Sequence, residues 1–196
     1  MRKTLFLFIV FLAGGVLYSV RGMAFPVDDG FSAAKTLSTR YFTVSIAPGV
    51  DEGSLVSTLN IGPEHKVLAG QSLAGTSFSP ENLGDLLDAF FLWASNVLDM
   101  QLYTYKGHIK IVRDEAEAVA IYRRLYGQDG YSEKGFYIFD TNTLYIAAPN
   151  FTKEILGHEL GRVIISNFFV VQPPAKVQEV LAGSIEYQLR KTGSGR

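Results

Sequence analysis

A long apolar segment near the C-terminus is interrupted in its middle by polar and charged residues. Leucine, isoleucine and valine recur there at helical spacing and predict a helix from Phe151 to about Phe169. His158, Glu159 and Arg162 lie inside this segment, and His158 and Arg162 are one helical turn apart, so they share a face. A helix this apolar is buried on most sides, and buried charges need partners. Any fold of this chain must therefore supply those partners.

The N-terminus has the pattern of an export signal. Arg2 and Lys3 precede an uncharged apolar run over residues 4–20, and Gly22-Met23-Ala24 places small residues at the cleavage site. This pattern predicts a signal peptide at residues 1–24, cleaved before Phe25. The alternative is an uncleaved membrane anchor, because the run is near the lower limit of about 17–25 residues that a membrane-spanning helix needs.

Composition excludes several classes of protein. The 196 residues contain no cysteine, so disulfide scaffolds, thiolate metal sites and cysteine nucleophiles are excluded. A net charge of −1 argues against a dedicated nucleic-acid binder, and 47% hydrophobic residues are enough for a packed core. No later apolar stretch is long enough to span a membrane once the leader is cleaved. An exported chain without disulfides is typical of the bacterial periplasm, although secretion is an alternative.

The remaining pattern predicts one small α+β domain over residues 25–190, followed by a flexible tail at 191–196. Residues 25–39 are weakly patterned, and the expected sheet is mixed or antiparallel. The predicted elements are a strand over Tyr41–Ile46, a short helix over Glu52–Leu59, a helix capped by Ser79, a strand over Gly107–Arg113, a helix over Asp114–Tyr126, a hairpin of Phe136–Phe139 and Thr143–Ala148, the helix from Phe151, and a last helix over Ala175–Arg190.

The string from His158 to Arg162, H-E-L-G-R, resembles the H-E-x-x-H signature of zinc metallopeptidases, with arginine in place of the second histidine. In that signature two histidines bind zinc and the glutamate activates a water. The similarity is to the gluzincin group, in which an antiparallel edge strand precedes the motif helix and a second helix supplies a glutamate ligand. Thr143–Ala148 and Glu179 stand in these positions, so the resemblance covers roughly residues 135–190. It implies a zincin-like fold with His158 and Glu179 as remnant zinc ligands.

Arg162 differs from the family's signature at a position where the signature has a zinc ligand. A guanidinium has no lone pair to coordinate zinc, and its permanent positive charge disfavours a nearby divalent cation. The other histidines are His65 in a loop and His108 at the start of a strand, and neither context indicates a ligand. We therefore expect no cofactor. We hypothesise that the Arg162 guanidinium occupies the place of zinc and pairs with Glu159 and Glu179, in which case truncating one buried partner would cost about 3–5 kcal/mol.

Three readings remain open from the sequence. The first is an exported, catalytically inactive zincin-like protein, a pseudoenzyme or binding module that would bind peptides along the Thr143–Ala148 edge strand by β-augmentation. The second is an active zinc peptidase with an unusual ligand set, in which His158 and Glu179 hold zinc and Glu159 is the general base. The third is an unrelated exported α+β domain in which the His-Glu-Arg trio is structural.

Overall fold

The computed structural model describes residues 28–59, 82–127 and 135–193. The predicted leader, the predicted cap at Ser79, His65 and the end of the predicted tail lie outside these ranges. Within them the chain forms an α+β domain with a mixed sheet, as the sequence predicted, and the sheet has five strands. No helix in the described ranges is both long enough and apolar enough to cross a membrane.

Three parallel strands form the centre of the sheet, and an antiparallel strand lies at each edge. The spatial order is β1-β2-β3-β5-β4, with β2, β3 and β5 parallel to one another. The first strand was not predicted, because its four residues K-T-L-S are mostly exposed and show little apolar alternation. The strands are β1 Lys35–Ser38, β2 Phe42–Ile46, β3 Gly107–Val112, β4 Gly135–Ile138 and β5 Thr143–Ala147.

The fifth strand corrects one prediction. Thr143–Ala148 was expected at the sheet edge, but β5 pairs with β3 on one side and with β4 on the other. All five of its residues are buried, which is typical of a central strand. The predicted hairpin is confirmed, with a turn at 139–142 in which Asn142 has a φ of +49°. Either strand of a hairpin can face the rest of a sheet, so the hairpin pattern alone did not decide which one is the edge.

The predicted helices are confirmed with small shifts at their ends. Asn82, Asp114 and Thr152 cap the second, third and fourth helices, each accepting a hydrogen bond from a backbone amide of the first turn. Gly127 ends the third helix with a left-handed φ of +68°. The helices are α1 Glu52–Leu59, α2 Leu83–Leu98, α3 Glu115–Tyr126, α4 Lys153–Phe168 and α5 Ala175–Gly193, with a 3₁₀ turn at Ala148–Asn150 before α4.

Helices cover both faces of the sheet. On one face, α1, α2, α4 and α5 share a hydrophobic core with alternate residues of the central strands, such as Ile109, Ile111 and Ile146. On the other face, α3 packs against a smaller group that includes Tyr145. The segment before β1 also lies on this second face, where the buried carboxylate of Asp29 accepts hydrogen bonds from Lys110 and Tyr145. The motif helix α4 therefore lies on the larger core, beside α5.

Two glycines allow α4 to approach its neighbours closely. A methyl group at Gly157 would lie 2.9 Å from the Leu189 side chain, and one at Gly161 would lie 3.1 Å from the Ala182 Cα on α5. These distances are shorter than ordinary van der Waals contact, so alanine at either position would force a shift. Gly157 directly precedes His158, and Gly161 directly precedes Arg162. The close helix contact that the glycines permit therefore places α5 beside those two side chains.

Replacing Gly161 with alanine should therefore destabilise the protein. The added methyl group meets the α5 backbone, so we expect Gly161→Ala to lower the free energy of unfolding by about 1–3 kcal/mol, measured by urea denaturation. Gly183→Ala is the matched control, because it also lies in a helix but has open space around the added methyl group. That control should be stabilised by roughly 0.5–1 kcal/mol. Equal stabilisation of both variants would contradict the close α4–α5 contact.

Candidate functional site

The predicted site residues meet in one pocket between α4 and α5. His158, Glu159 and Arg162 face it from α4, and Glu179 faces it from α5. The pocket has a volume of about 260 Å³. Among the described residues, its lining consists of Glu154, Ile155, His158, Glu159, Arg162, Glu179 and Glu186. The four side chains that the resemblance places at one site therefore do lie together.

Arg162 and Glu179 form the main ion pair of the pocket. The Arg162 Nη2 atom donates a hydrogen bond to the Glu179 Oε1 atom. The other carboxylate oxygen of Glu179 lies 3.5 Å from the Nε2 atom of His158. Glu179 is thus shared between the guanidinium and the imidazole, and it links the two helices across the pocket.

Glu186 forms a second link between the helices, two helical turns further along α5. Its Oε2 atom lies 3.8 Å from the Nδ1 atom of His158, and its Oε1 atom accepts a hydrogen bond from Arg190. The two ring nitrogens of His158 therefore face two different carboxylates. A protonated imidazole would be attracted to both.

Glu159 lies deeper than the other carboxylates. Its exposed fraction is 3%, and its Oε2 atom is buried without a hydrogen-bond partner among the described residues. Burial raises the pKa of Glu159 to about 7, the nearby Arg162 charge acts in the opposite direction, and Glu179 adds to the increase. On the side away from the pocket, the aliphatic part of the Glu159 side chain packs against Gly135 of β4. A methyl group added at Gly135 would lie 3.3 Å from the Glu159 Cγ atom. Glu159 is therefore held between the edge strand and the pocket.

The structure contains only part of the predicted arginine network. Arg162 binds Glu179, but the described contacts include neither a hydrogen bond nor an ion pair between Arg162 and Glu159. The Arg162 Nε atom is buried and has no hydrogen-bond partner in the described part of the chain. The side chains of Arg162 and Glu179 are also 33% and 49% exposed. Solvent screens such a pair, and exposed ion pairs contribute about 0–1 kcal/mol. The expected cost of 3–5 kcal/mol for a buried pair is therefore too high for Arg162 and Glu179.

The residues present do not match a zinc site. Within the described ranges, no group of three His, Asp or Glu side chains is arranged to hold a metal ion. Arg162 points its donors at Glu179, the carboxylate that the resemblance assigns to zinc. His108 is exposed on β3 and is not among the pocket residues. Whether His158 and Glu179 bind zinc in solution stays an open prediction.

The sequence analysis did not predict that Glu186 and Glu154 line the site or that Gly135 contacts Glu159. Glu186 follows Glu179 by seven residues, which is two helical turns, so the spacing could have placed both on one face of α5. Glu154 precedes His158 by four residues and could have been found in the same way. Gly135 carried no such signal, because its contact with Glu159 depends on which strand lies at the sheet edge.

Comparisons with known proteins do not assign this chain to a family. No protein-family profile, curated protein or solved structure matches it. The function is therefore inferred from the site.

The raised pKa of Glu159 predicts a pH-dependent stability. Because the folded state holds the proton of Glu159 up to about pH 7 and the unfolded state releases it near 4.5, this stabilisation is complete below pH 4.5 and is lost as the pH rises through 7. Relative to Glu159→Gln, the wild-type protein should lose about 2–3 kcal/mol of unfolding free energy between pH 4.5 and pH 8. Urea denaturation across this range measures the difference. Glu115→Gln, at an exposed position of α3, is the control, and its unfolding free energy should change with pH as that of the wild-type protein does. If the unfolding free energies of wild type and Glu159→Gln change with pH in parallel, the prediction is wrong.

Proposed function

We propose that the protein is an exported zincin-like domain without peptidase activity that acts as a binding module. The observation that carries this proposal is the convergence of His158, Glu159, Arg162 and Glu179 on one pocket. These are the positions at which the metallopeptidase signature has its first histidine, its glutamate, its second histidine and its third ligand.

The surroundings of the pocket also support the proposal. An antiparallel edge strand, β4, packs against Glu159 through Gly135 and leads through β5 into the motif helix. The resemblance implied such a strand, and it is β4 rather than β5. In the described sheet β4 pairs on one side with β5 and has no strand on the other side. An extended peptide that added to β4 would pass beside the pocket.

Arg162 is the reason for proposing that catalysis is lost. A peptidase of this class needs three protein ligands for zinc and a bound water of lowered pKa. Arg162 supplies a guanidinium in place of one ligand and engages Glu179, the second. That leaves His158 of the three ligand positions, and one imidazole does not make a catalytic zinc site. Export is proposed from the leader pattern at residues 1–24 alone.

Restoring the missing histidine tests the proposed ancestry. In Arg162→His, two imidazoles one helical turn apart and Glu179 would form a three-ligand set, so we expect one zinc per chain after dialysis, measured by elemental analysis. The wild-type protein should retain far less than one zinc and should not cleave peptides. Arg123→His, on an exposed turn of α3, is the matched control and should bind no zinc.

The outcomes separate the three readings of the sequence. Stoichiometric zinc in the wild-type protein, with peptidase activity that a chelator removes, would support the active enzyme instead. A folded Arg162→His protein that binds no more zinc than Arg123→His would support an unrelated structural domain.

A further inference from the structure

Carboxylates outnumber cations in the pocket. Glu154, Glu159, Glu179 and Glu186 line it, whereas Arg162 is the only permanent cation among the lining residues that the structure describes. That cation is already engaged by Glu179. The pocket therefore favours a positively charged ligand over an anionic one.

A buried acceptor in the pocket points to a ligand as well. Glu159 is 97% buried, counting from its exposed fraction of 3%, and it lines the pocket while its Oε2 atom lacks a hydrogen-bond partner among the described residues. Buried acceptors in folded proteins are nearly always paired, since an unpaired one costs about 1–3 kcal/mol. A ligand with N–H donors would satisfy this oxygen.

The volume and the donor pattern narrow the ligand class. About 260 Å³ is enough for an alkyl chain of a few carbons with a charged head group. An ammonium is compact and has three donors, so it can bind the Glu159 oxygen and a carboxylate of α5 together. A second guanidinium would instead compete with Arg162 for Glu179.

We propose that this pocket binds a primary alkylammonium group, supplied by a lysine side chain of an extended polypeptide that lies along β4. The inference rests on the binding role proposed above and adds the chemical class of the ligand. The α4 residue Glu159 is the central acceptor, and Glu186 and Glu154 supply the surrounding negative charge. Ile155 offers an apolar wall for the alkyl chain.

The first experiment uses a small probe without a peptide backbone. The full chain is titrated with n-butylammonium, and binding is followed by NMR chemical shifts of α4 and α5 and by calorimetry. We expect saturable millimolar binding, because a ligand of five heavy atoms cannot gain much more. Neutral 1-butanol, which has the same shape, should bind at least tenfold more weakly. Equal binding of the two probes would overturn the proposal.

Matched variants locate the site. At about pH 8.5, above the raised pKa of about 7, the Glu159 side chain is charged. Glu159→Gln keeps its shape but removes that charge, so the affinity for n-butylammonium at this pH should fall about tenfold or more. Glu186→Gln should reduce it by a smaller factor, because Glu186 is shared with Arg190. Glu115→Gln, which removes a carboxylate outside the pocket, should leave the affinity unchanged. Thermal unfolding confirms that each variant is folded, and unchanged affinity in both pocket variants would overturn the assignment.

A second comparison separates this inference from the proposed function. Blocked hexapeptides that contain one lysine are compared with the same peptides containing norleucine. Tenfold preference for lysine supports both the pocket and the peptide-binding role. Equal binding of both peptides overturns the lysine assignment and leaves the binding module intact. Binding of n-butylammonium without any peptide binding supports the cation pocket and contradicts the peptide-binding role, and binding of neither contradicts both.

Discussion

The close contact between α4 and α5 is the constraint on which the site depends. Two helices can approach this closely only where side chains are absent, and Gly157 and Gly161 provide that absence on the face of α4 next to α5. Since each glycine precedes a site residue by one position, the same geometry that packs the helices brings His158 and Arg162 against the carboxylates of α5. The site is thus a product of core packing between two helices.

Burial divides the site into two electrostatic environments. Arg162 and Glu179 lie near the pocket mouth, where solvent screens their attraction, and they hold the helices in register with little net stabilisation. Glu159 lies at the floor, where burial favours the neutral carboxyl and leaves one oxygen unpaired. An oxygen of this kind is costly to retain in a purely structural helix. We propose that a bound ligand pairs with it.

The parts of the fold that depend on local chemistry could be predicted. Periodicity identified the helices and central strands, and the helix predicted from Phe151 is confirmed as α4, with Thr152 as its cap. Strand β1 was missed because its four residues have little apolar alternation. The strand forms because its backbone pairs with β2. The prediction that β5 lies at the sheet edge was wrong for a related reason. Strand order depends on packing against distant segments, and the local sequence pattern does not record it.

By itself, the sequence determined that a polar trio interrupts an apolar helix, that a guanidinium replaces an imidazole in its motif, and that cysteine chemistry is excluded. These are properties of residue identity and spacing, which do not change with the fold. Only the tertiary structure decided that Arg162 binds Glu179 and not Glu159, that Glu186 and Glu154 join the pocket, and that β4 is the strand beside it. Those outcomes depend on which atoms from separate elements come within hydrogen-bond distance and on how much water reaches them, and both are set by three-dimensional packing.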